Sequence, residues 1–281
     1  MRIRRLGWAG LELEAAGSTA VIDLLEELGP MAELFGEPHE PLPRPNAPGT
    51  VSLALVTHLH FDHADPPALG RALAPDGIVL RPAPADGRGL ETVAMAAAER
   101  GFAQLEIPTR VVEPWGTVDV GPFEVTAVPA ADGFGDPQVS WVVAAEGRRI
   151  IHCGDTVFHG WWWLTKLRHG PFDAAFLPVN GPIVDLPHRQ PHSALPAAMD
   201  PEQAAEAAAL LEAAEAVPIH YDTLNNPPTY AQVDRPAQAF AQAATRRGVR
   251  AHVVAPGEYL EQRASAGQAK ETPARPTRRS L

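Results

Sequence analysis

The segment THLHFDHAD, which begins at Thr57, places three histidines and two aspartates directly after an apolar run. Side chains alternate along an extended chain, so His58 and His60 point the same way and can bind one ion. Asp62 and His63 follow as the strand ends, and they add a carboxylate and a third imidazole beside the first pair. The spacing favours two adjacent metal ions. The alternative is a polar loop whose histidines are satisfied within the protein.

Two other apolar runs also end in residues that bind metals. IIHCGDT places Asp155 just past a strand, and a carboxylate at a strand end after glycine can bridge two cations. VPIHYDT places His220 in the same kind of position. Three strands that each end in a ligand-type residue are better explained by one site than by three separate structural reasons.

The surrounding sequence mixes strands and helices in both halves. GLELEAAGSTAVIDLL predicts a hairpin whose second strand ends at Asp23, and the proline-rich segment 36–50 predicts a loop. Further strands are predicted at 51–56, at 78–81, in several short runs between 110 and 153, at 174–178, at 216–220 and at 249–258. Helices are predicted at 67–74, 91–100 (ending at Gly101), 202–215 (capped by Asp200) and 235–247 (ending at Gly248).

Composition narrows the class of protein. With 281 residues and 45% hydrophobic content, the chain can bury one large core, and we assign residues 1–262 to a single domain. Residues 263–281 carry a net charge of +4 and predict a disordered basic tail, so residues 1–262 carry −15. This acidity argues against a nucleic-acid partner. Without a secretory leader or a long apolar run, and with a single cysteine, Cys153, we expect a cytoplasmic protein with no membrane partner.

The motifs together resemble the metallo-β-lactamase superfamily. H-x-H-x-D-H at 58–63, GDT at 154–156 and PIHY at 218–221 carry the likeness. Within it, GDT and VPIHYDT, together with LPVNG at 177–181 and MDPEQAAEAA at 199–208, look most like the L-ascorbate-6-phosphate lactonase-like branch. The resemblance implies an α/β fold, a four-layer αββα sandwich with the metals at one edge of two facing sheets. It also implies two divalent ions (zinc, manganese or iron), and it is compatible with a homo-oligomer.

One position departs from that branch, in which the strand before GDT ends Pro-Ala-x-His and the histidine binds the first metal. Here the sequence reads VPAADGFGD, with Asp132 at the position of the histidine. Either Asp132 supplies a carboxylate or the first metal lacks a ligand; Asp136 is a weaker substitute, and Asp132 could simply begin an Asp-Gly turn. A carboxylate ligand would favour Mn²⁺ or Fe²⁺ somewhat over Zn²⁺.

The resemblance also implies a ligand set and a reaction. His58, His60 and Asp132 would bind one ion, Asp62, His63 and His220 the other, and Asp155 would bridge them. Asp62 and Asp155 would be the catalytic carboxylates, with Asp62 orienting a hydroxide held between the metals. The expected reaction is hydrolysis of a small-molecule lactone, ester or amide.

Several residues beside the proposed ligands are candidates for binding the substrate. They are Tyr221 after His220, Asn180 in PVNG, His188 and His192 in a proline-rich loop, and Trp163 in HGWWWL. The ordinary alternatives are solvated loop histidines and a tryptophan that packs a helix against the core.

Two other functions remain open. A nuclease or phosphodiesterase of ribonuclease Z type shares H-x-H-x-D-H, but it would need a basic surface, and only the tail is basic. The other is a non-hydrolytic binding or biosynthetic protein with an altered metal site, which the aspartate at 132 suggests.

Overall fold

Two six-stranded sheets form the centre of the molecule in the computed structural model, which describes residues 1–85, 92–187 and 189–261. The first sheet contains, in spatial order, β1 (Arg2–Gly7), β2 (Gly10–Ala15), β3 (Ser18–Ile22), β4 (Val51–Leu55), β5 (Leu73–Arg81) and β6 (Thr109–Val111). The second contains β7 (Thr117–Val120), β8 (Phe123–Pro129), β9 (Val139–Ala145), β10 (Arg148–His152), β11 (Ala174–Pro178) and then β13 (Glu215–Ile219). A separate pair joins β12 (Ile183–Val184) to β14 (Tyr230–Ala231).

Helices cover the outer faces of both sheets. They are α2 (Pro66–Ala72), α3 (Thr92–Gln104), α4 (Trp162–His169), α5 (Pro201–Leu211) and α6 (Pro236–Arg246), whereas the one-turn helix α1 (Ala32–Phe35) packs Phe35 into the core between the sheets. Leu13, Leu55 and Trp141 belong to the core between the sheets. A second core joins β10 and β11 to helices α4, α5 and α6, and a third joins β4 and β5 to α2 and α3. The predicted four-layer αββα sandwich is therefore confirmed.

Each strand that leads into the H-x-H-x-D-H, GDT or PIHY motif has at least one parallel neighbour. β4 pairs in parallel with β3 and β5, and β11 pairs in parallel with β10 and β13. The carboxyl ends of parallel strands meet at one edge of a sheet, so the residues after β3, β4, β10 and β13 come together there. This topology brings residues far apart in sequence into one site.

Several predicted elements need correction. Helix α3 continues through Gly101 to Gln104, because the missing side chain lets α3 lie against Pro66: a Cβ on Gly101 would be 2.7 Å from the proline ring. The predicted strand 249–258 is reduced to a bridge between Ala251 and Ala216. Helix α5 stops at Leu211, since Glu212 takes a left-handed conformation with φ of 50°.

The hairpin at β2 and β3 and the strand at β11 follow the sequence prediction. Helix α5 begins as expected, with Asp200 and Gln203 forming a capping box. No helix among the described residues is long and apolar enough to cross a bilayer. The predicted tail at 263–281 lies outside the described residues.

Candidate metal centre

Seven of the side chains predicted as ligands converge at the edge where the parallel strands end. Their potential ligand atoms form three overlapping groups, within each of which all atoms lie within 4.8 Å of one another. The groups are His58, His60, Asp132 and Asp155; His58, Asp62 and His63; and His63, Asp155 and His220. The shared members make the groups one continuous cluster.

Three histidines use one ring nitrogen for the protein and turn the other toward this cluster. His63 Nδ1 lies 2.7 Å from Asp23 Oδ2, and His220 Nδ1 lies 3.0 Å from the side-chain oxygen of Asn180. His58 Nδ1 lies 3.2 Å from the Thr57 hydroxyl. A partner on one nitrogen fixes the orientation of the ring and leaves the other nitrogen for a metal. The Nε2 atoms of all three rings are buried and without a hydrogen-bond partner.

His60 uses its two ring nitrogens the other way round: Nε2 contacts the protein and Nδ1 faces the cluster. Its Nε2 lies 2.7 Å from Asp136 Oδ2, while its Nδ1 faces Asp132 Oδ2 at 3.7 Å. Burial lowers the pKa of His60, but the bond to Asp136 and the nearby carboxylates outweigh burial and raise it to about 9. The two histidines of H-x-H thus present different nitrogens to the cluster.

Asp132 lies in the loop between β8 and β9. Its Oδ1 accepts hydrogen bonds from the backbone N–H groups of Phe134 at 2.6 Å and Asp136 at 3.2 Å. These bonds turn Oδ2 toward His60, where that oxygen is buried without a partner. The carboxylate therefore both begins a turn and faces the cluster, so the two interpretations of this position are not exclusive. Whether Asp132 binds a metal stays a prediction.

The other two carboxylates are held by residues that the sequence analysis did not single out. Trp8 Nε1 donates to Asp62 Oδ2 at 3.1 Å, and Gln138 Nε2 donates to Asp155 Oδ1 at 2.9 Å. Burial raises the pKa of Asp155 to about 7, helped by the neighbouring Asp132 and Asp62. Burial acts the same way on Asp62, but His63 and His220 outweigh it and hold the pKa of Asp62 well below its usual value.

Asp23 is the other supporting residue that the sequence analysis missed. Its Oδ2 accepts from the Thr57 hydroxyl at 2.7 Å as well as from His63, and its Oδ1 accepts from the Thr57 backbone N–H at 2.8 Å. The available signal was an aspartate at the end of a predicted strand, in the same position as Asp155. Asp65, by contrast, caps α2 by accepting from the backbone N–H of Ala68.

The residues predicted to contact substrate have other partners within the protein. The Tyr221 hydroxyl accepts from Arg5 at 2.8 Å, and Asn180 bonds His220 and the Tyr230 hydroxyl. Trp163 is exposed on α4, whereas its neighbour Trp162 is buried and stacks on His159.

The two loop histidines give no firmer support. His192 is half-exposed, with Nδ1 4.0 Å from Asp185 Oδ2. His188 lies outside the described residues. Substrate contact by any of the five candidates stays a prediction.

A group of aromatic rings adjoins the cluster. Phe61, between His60 and Asp62 in the motif, has its ring centroid 4.9 Å from that of Phe35. Phe35 in turn contacts the ring of Tyr230 at 5.2 Å, and Phe134 lies 6.3 Å from the His60 ring. These rings give the site an apolar border, with Phe134 beside His60 and Phe61 within the motif itself.

The residues fit divalent cations. Three buried imidazole nitrogens and one carboxylate oxygen lack hydrogen-bond partners, and each faces further carboxylates. Mixed imidazole and carboxylate donors suit zinc, manganese and iron. A polar loop of satisfied histidines would not leave these atoms unpaired.

Comparison with known proteins gives consistent matches. The family model for the beta-lactamase superfamily domain matches residues 20–221. A UPF0173 metal-dependent hydrolase of Methanopyrus kandleri is 28% identical over 273 residues, which cover 93% of this chain and 100% of the relative. A UPF0173 metal-dependent hydrolase of Thermus thermophilus is 29% identical over 269 residues, covering 92% and 98%. Among solved structures, an isothiocyanate hydrolase from Delia radicum gut bacteria matches with a TM-score of 0.66 and 19% identity over 93% of this chain and 99% of that one. At that identity the likeness concerns the fold.

Proposed function

Since this chain belongs to the beta-lactamase superfamily, whose family model matches residues 20–221, we propose that it is a metal-dependent hydrolase of a small-molecule lactone, ester or amide. Relatives from Methanopyrus kandleri and Thermus thermophilus, which align over nearly their whole length, are named metal-dependent hydrolases. The choice of lactone, ester or amide rests on the motifs GDT, LPVNG and VPIHYDT, which resemble the lactonase-like branch.

The observation that carries this proposal is the set of buried nitrogens without partners on His58, His63 and His220. A buried polar atom without a hydrogen bond costs about 1–3 kcal/mol, so several in one place indicate a missing ligand. The nearest acidic oxygens are those of Asp62 and Asp155, at 3.5–4.0 Å from these nitrogens. We propose that His58, His60 and Asp132 would hold one cation, that Asp62, His63 and His220 would hold the other, and that Asp155 would be available to both.

Bound divalent cations supply Lewis acidity and lower the pKa of a coordinated water toward neutrality. The protein's own contribution is orientation. Trp8 holds Asp62 in place through the indole N–H, and the low pKa of Asp62 keeps this carboxylate ionised, so that it can orient a water molecule by accepting a hydrogen bond. Gln138 holds one oxygen of Asp155. The rings of Phe61 and Phe35 pack against each other beside the motif, with centroids 4.9 Å apart.

The donor set bears on the choice of metal. With Asp132 in place of an imidazole, carboxylates contribute three of the seven donors, which moves the site toward harder ions. We propose Mn²⁺ or Fe²⁺ as the preferred ions, with Zn²⁺ as the competitor.

The apolar border and the acidic surface favour small substrates. A substrate with an apolar part beside the hydrolysable bond would contact Phe61 and Phe134, while the net charge of −11 disfavours a polyanion such as RNA. A second candidate, a non-hydrolytic binding or biosynthetic role, is favoured by one observation only, the carboxylate of Asp132 facing the cluster.

Elemental analysis combined with a substrate panel tests the proposal. Wild-type protein purified without added metal or chelator should contain about two metal ions per chain and hydrolyse at least one lactone, ester or amide. His58→Ala should lose metal and turnover together, whereas His252→Ala, a half-exposed histidine beside Glu215, should retain both. Turnover by metal-free His58→Ala would refute the mechanism. Bound metal without hydrolysis across lactones, esters, amides and phosphodiesters would favour the non-hydrolytic role.

A further inference from the structure

The loop 132–138, between β8 and β9, reaches three members of the metal cluster with three different side chains. Asp132 turns Oδ2 toward His60, Asp136 accepts from His60 Nε2, and Gln138 donates to Asp155. Three positions of this loop therefore contact the ligand set, and not only the position at which an aspartate replaces the expected histidine. Asp136 is the member of this loop whose contact decides which nitrogen of a ligand is available.

A neutral imidazole carries one N–H and one lone pair, so a partner at one nitrogen determines the role of the other. Asp136 Oδ2 lies 2.7 Å from His60 Nε2, and a carboxylate only accepts hydrogen bonds. In the neutral ring that binds a metal, the proton is therefore held on Nε2 and the lone pair is on Nδ1, which faces Asp132 Oδ2 at 3.7 Å. Without Asp136, either nitrogen could carry the proton and the ring could rotate.

Asp136 is itself held from the opposite side. Arg189, in the segment 185–199, has one guanidinium nitrogen 3.8 Å from Asp136 Oδ2 and another 3.4 Å from the Phe134 carbonyl oxygen. Its guanidinium lies over the Phe134 ring, 4.3 Å from the centroid. Asp136 thus lies between the Arg189 guanidinium and the His60 imidazole, and its side chain is only 8% exposed.

The same segment also contacts the loop backbone. A Cβ added to Gly133 would lie 2.0 Å from the Ala197 carbonyl oxygen, so the two backbones approach as closely as glycine allows. Ala197 N–H in turn donates to the carbonyl of Pro182, the residue before β12, and so links the end of the segment to the chain just before its start. Arg189 and Ala197 therefore both contact the loop 132–138 beside His60.

We propose that Asp136 is a positioning residue of the metal centre, which directs His60 Nδ1 toward the first metal, and that Arg189 holds Asp136 in that position from the segment 185–199. This inference rests on the proposed metal site and adds to it a residue that contacts no metal. Partners of this kind contribute about 10–100-fold to metal affinity where they have been removed.

The test measures metal binding in the full chain, without substrate. Apo protein is titrated with Mn²⁺ in competition with a chelator of known affinity, and the Co²⁺-substituted protein is compared by its visible absorption spectrum. Asp136→Ala should weaken one of the two metal-binding steps about 10–100-fold and change the Co²⁺ spectrum. Arg189→Met, which keeps the contact with the Phe134 ring, should produce a smaller loss at the same step.

Two further variants separate positioning from a general loss of structure. Asp136→Asn keeps the size of the side chain and an oxygen that accepts from Nε2, so it should restore much of the affinity lost in Asp136→Ala. Asp76→Ala removes an exposed aspartate within β5 and should bind metal as the wild type does. Unfolding transitions of the apo variants check that all of them fold.

The outcomes are distinct. Wild-type affinity and an unchanged Co²⁺ spectrum in both Asp136 variants would overturn the inference, and so would equal losses in Asp136→Ala and Asp76→Ala. Should the alanine variant fail to fold, wild-type metal affinity and an unchanged Co²⁺ spectrum in Arg189→Met would have the same effect. Wild-type protein that binds no metal would refute the proposed function as well. Two bound metals with no hydrolysis would refute only the hydrolytic assignment and leave this inference standing.

Discussion

Asp23 and His63 are joined by a contact of 2.7 Å between Oδ2 and Nδ1, and neither side chain is exposed to solvent. The same carboxylate accepts from the backbone N–H and the hydroxyl of Thr57, the residue before His58. Asp23 follows β3, and Thr57 lies just past the end of β4, the parallel strand beside it. One buried side chain thus fixes both the entry into the histidine motif and the orientation of one of its rings.

We expect Asp23→Asn to damage the metal site and the fold together. An amide offers one oxygen where the carboxylate offers two, so one of the donors from Thr57 or His63 would face an NH₂ group. Metal affinity should fall about 10–100-fold, and the free energy of unfolding by about 1–3 kcal/mol. Chelator competition and denaturant titration measure the two effects.

Asp173→Asn is the matched control, because Asp173 accepts a backbone N–H from Arg149 at an exposed position. It should leave metal affinity unchanged. Wild-type metal affinity in Asp23→Asn would show that His63 does not depend on this contact.

Tyr221→Phe distinguishes a structural role from the substrate contact that the sequence analysis predicts. The hydroxyl accepts from the buried Arg5, whose guanidinium also lies 4.4 Å from the Tyr221 ring centroid. Removing the hydroxyl leaves a buried donor unpaired, so the free energy of unfolding should fall by about 1–3 kcal/mol. On a substrate found by the panel, KM and kcat should not change.

The comparison variant is Tyr259→Phe. The Tyr259 hydroxyl, which this change removes, bonds Glu14 and Asn46 near the surface. It should cost less than Tyr221→Phe, because water can replace its partners. A rise in KM for Tyr221→Phe with unchanged stability would restore the substrate role.

The architecture was predictable because apolar runs mark buried strands regardless of their partners. The strand that precedes His58 and the strand that ends before His220 follow this rule, and the structure has them as β4 and β13. β1 was missed because Arg5 points inward and is buried, so the segment RIRRLG does not show the alternation expected of a strand. The helix predicted to stop at Gly101 failed for a related reason, since a contact with Pro66 outweighs the local preference of glycine.

The residues of the candidate site also divide into those that the sequence could group and those that it could not. Residues that share a motif, such as His58 and His60, could be grouped by spacing alone. The supporting residues could not, because each lies far along the chain from the group that it holds: Trp8 from Asp62, Asp23 from His63 and Asn180 from His220. These contacts follow from strand order, which a single sequence does not determine.

Gly133→Ala tests how tightly the loop 132–138 packs against the segment 185–199. The new Cβ would overlap the Ala197 carbonyl, so the backbone next to Asp132 must move. We expect weaker metal binding and a lower melting temperature. Gly135→Ala is the control within the same loop: its φ of 86° makes alanine unfavourable by about 1–2 kcal/mol, but no atom lies within 4 Å of the new Cβ.

Gly135→Ala should therefore lose stability while keeping metal affinity. Equal metal affinity in the two glycine variants would show that the contact at Ala197 does not hold Asp132. Chelator competition and thermal unfolding of both proteins, measured side by side, decide between the outcomes.

Without metal, the folded protein should become less stable as the pH rises above about 6.5. In the metal-free protein the bond to Asp136 and the neighbouring carboxylates overcome burial and raise the pKa of His60 from 6.5 to about 9. The pKa of His63 is also raised, because Asp62 and Asp23 outweigh its burial. A raised pKa in the folded state means that the protonated form stabilises the fold fully below about pH 6.5, and that this contribution is lost as the pH rises toward 9.

The other groups of the cluster do not reverse this trend. Burial lowers the pKa of His58 and His220, so their contributions are lost below pH 6.5, outside the window. Burial raises the pKa of Asp155 to about 7, which acts in the same direction as His60 up to that pH. The melting temperature of chelator-treated protein should therefore fall between pH 6.5 and 9, and metal-free His60→Gln should show a shallower fall. Protein loaded with metal should show little change, because a cation takes the place of the protons, and parallel slopes with and without metal would refute the proposed ligand set.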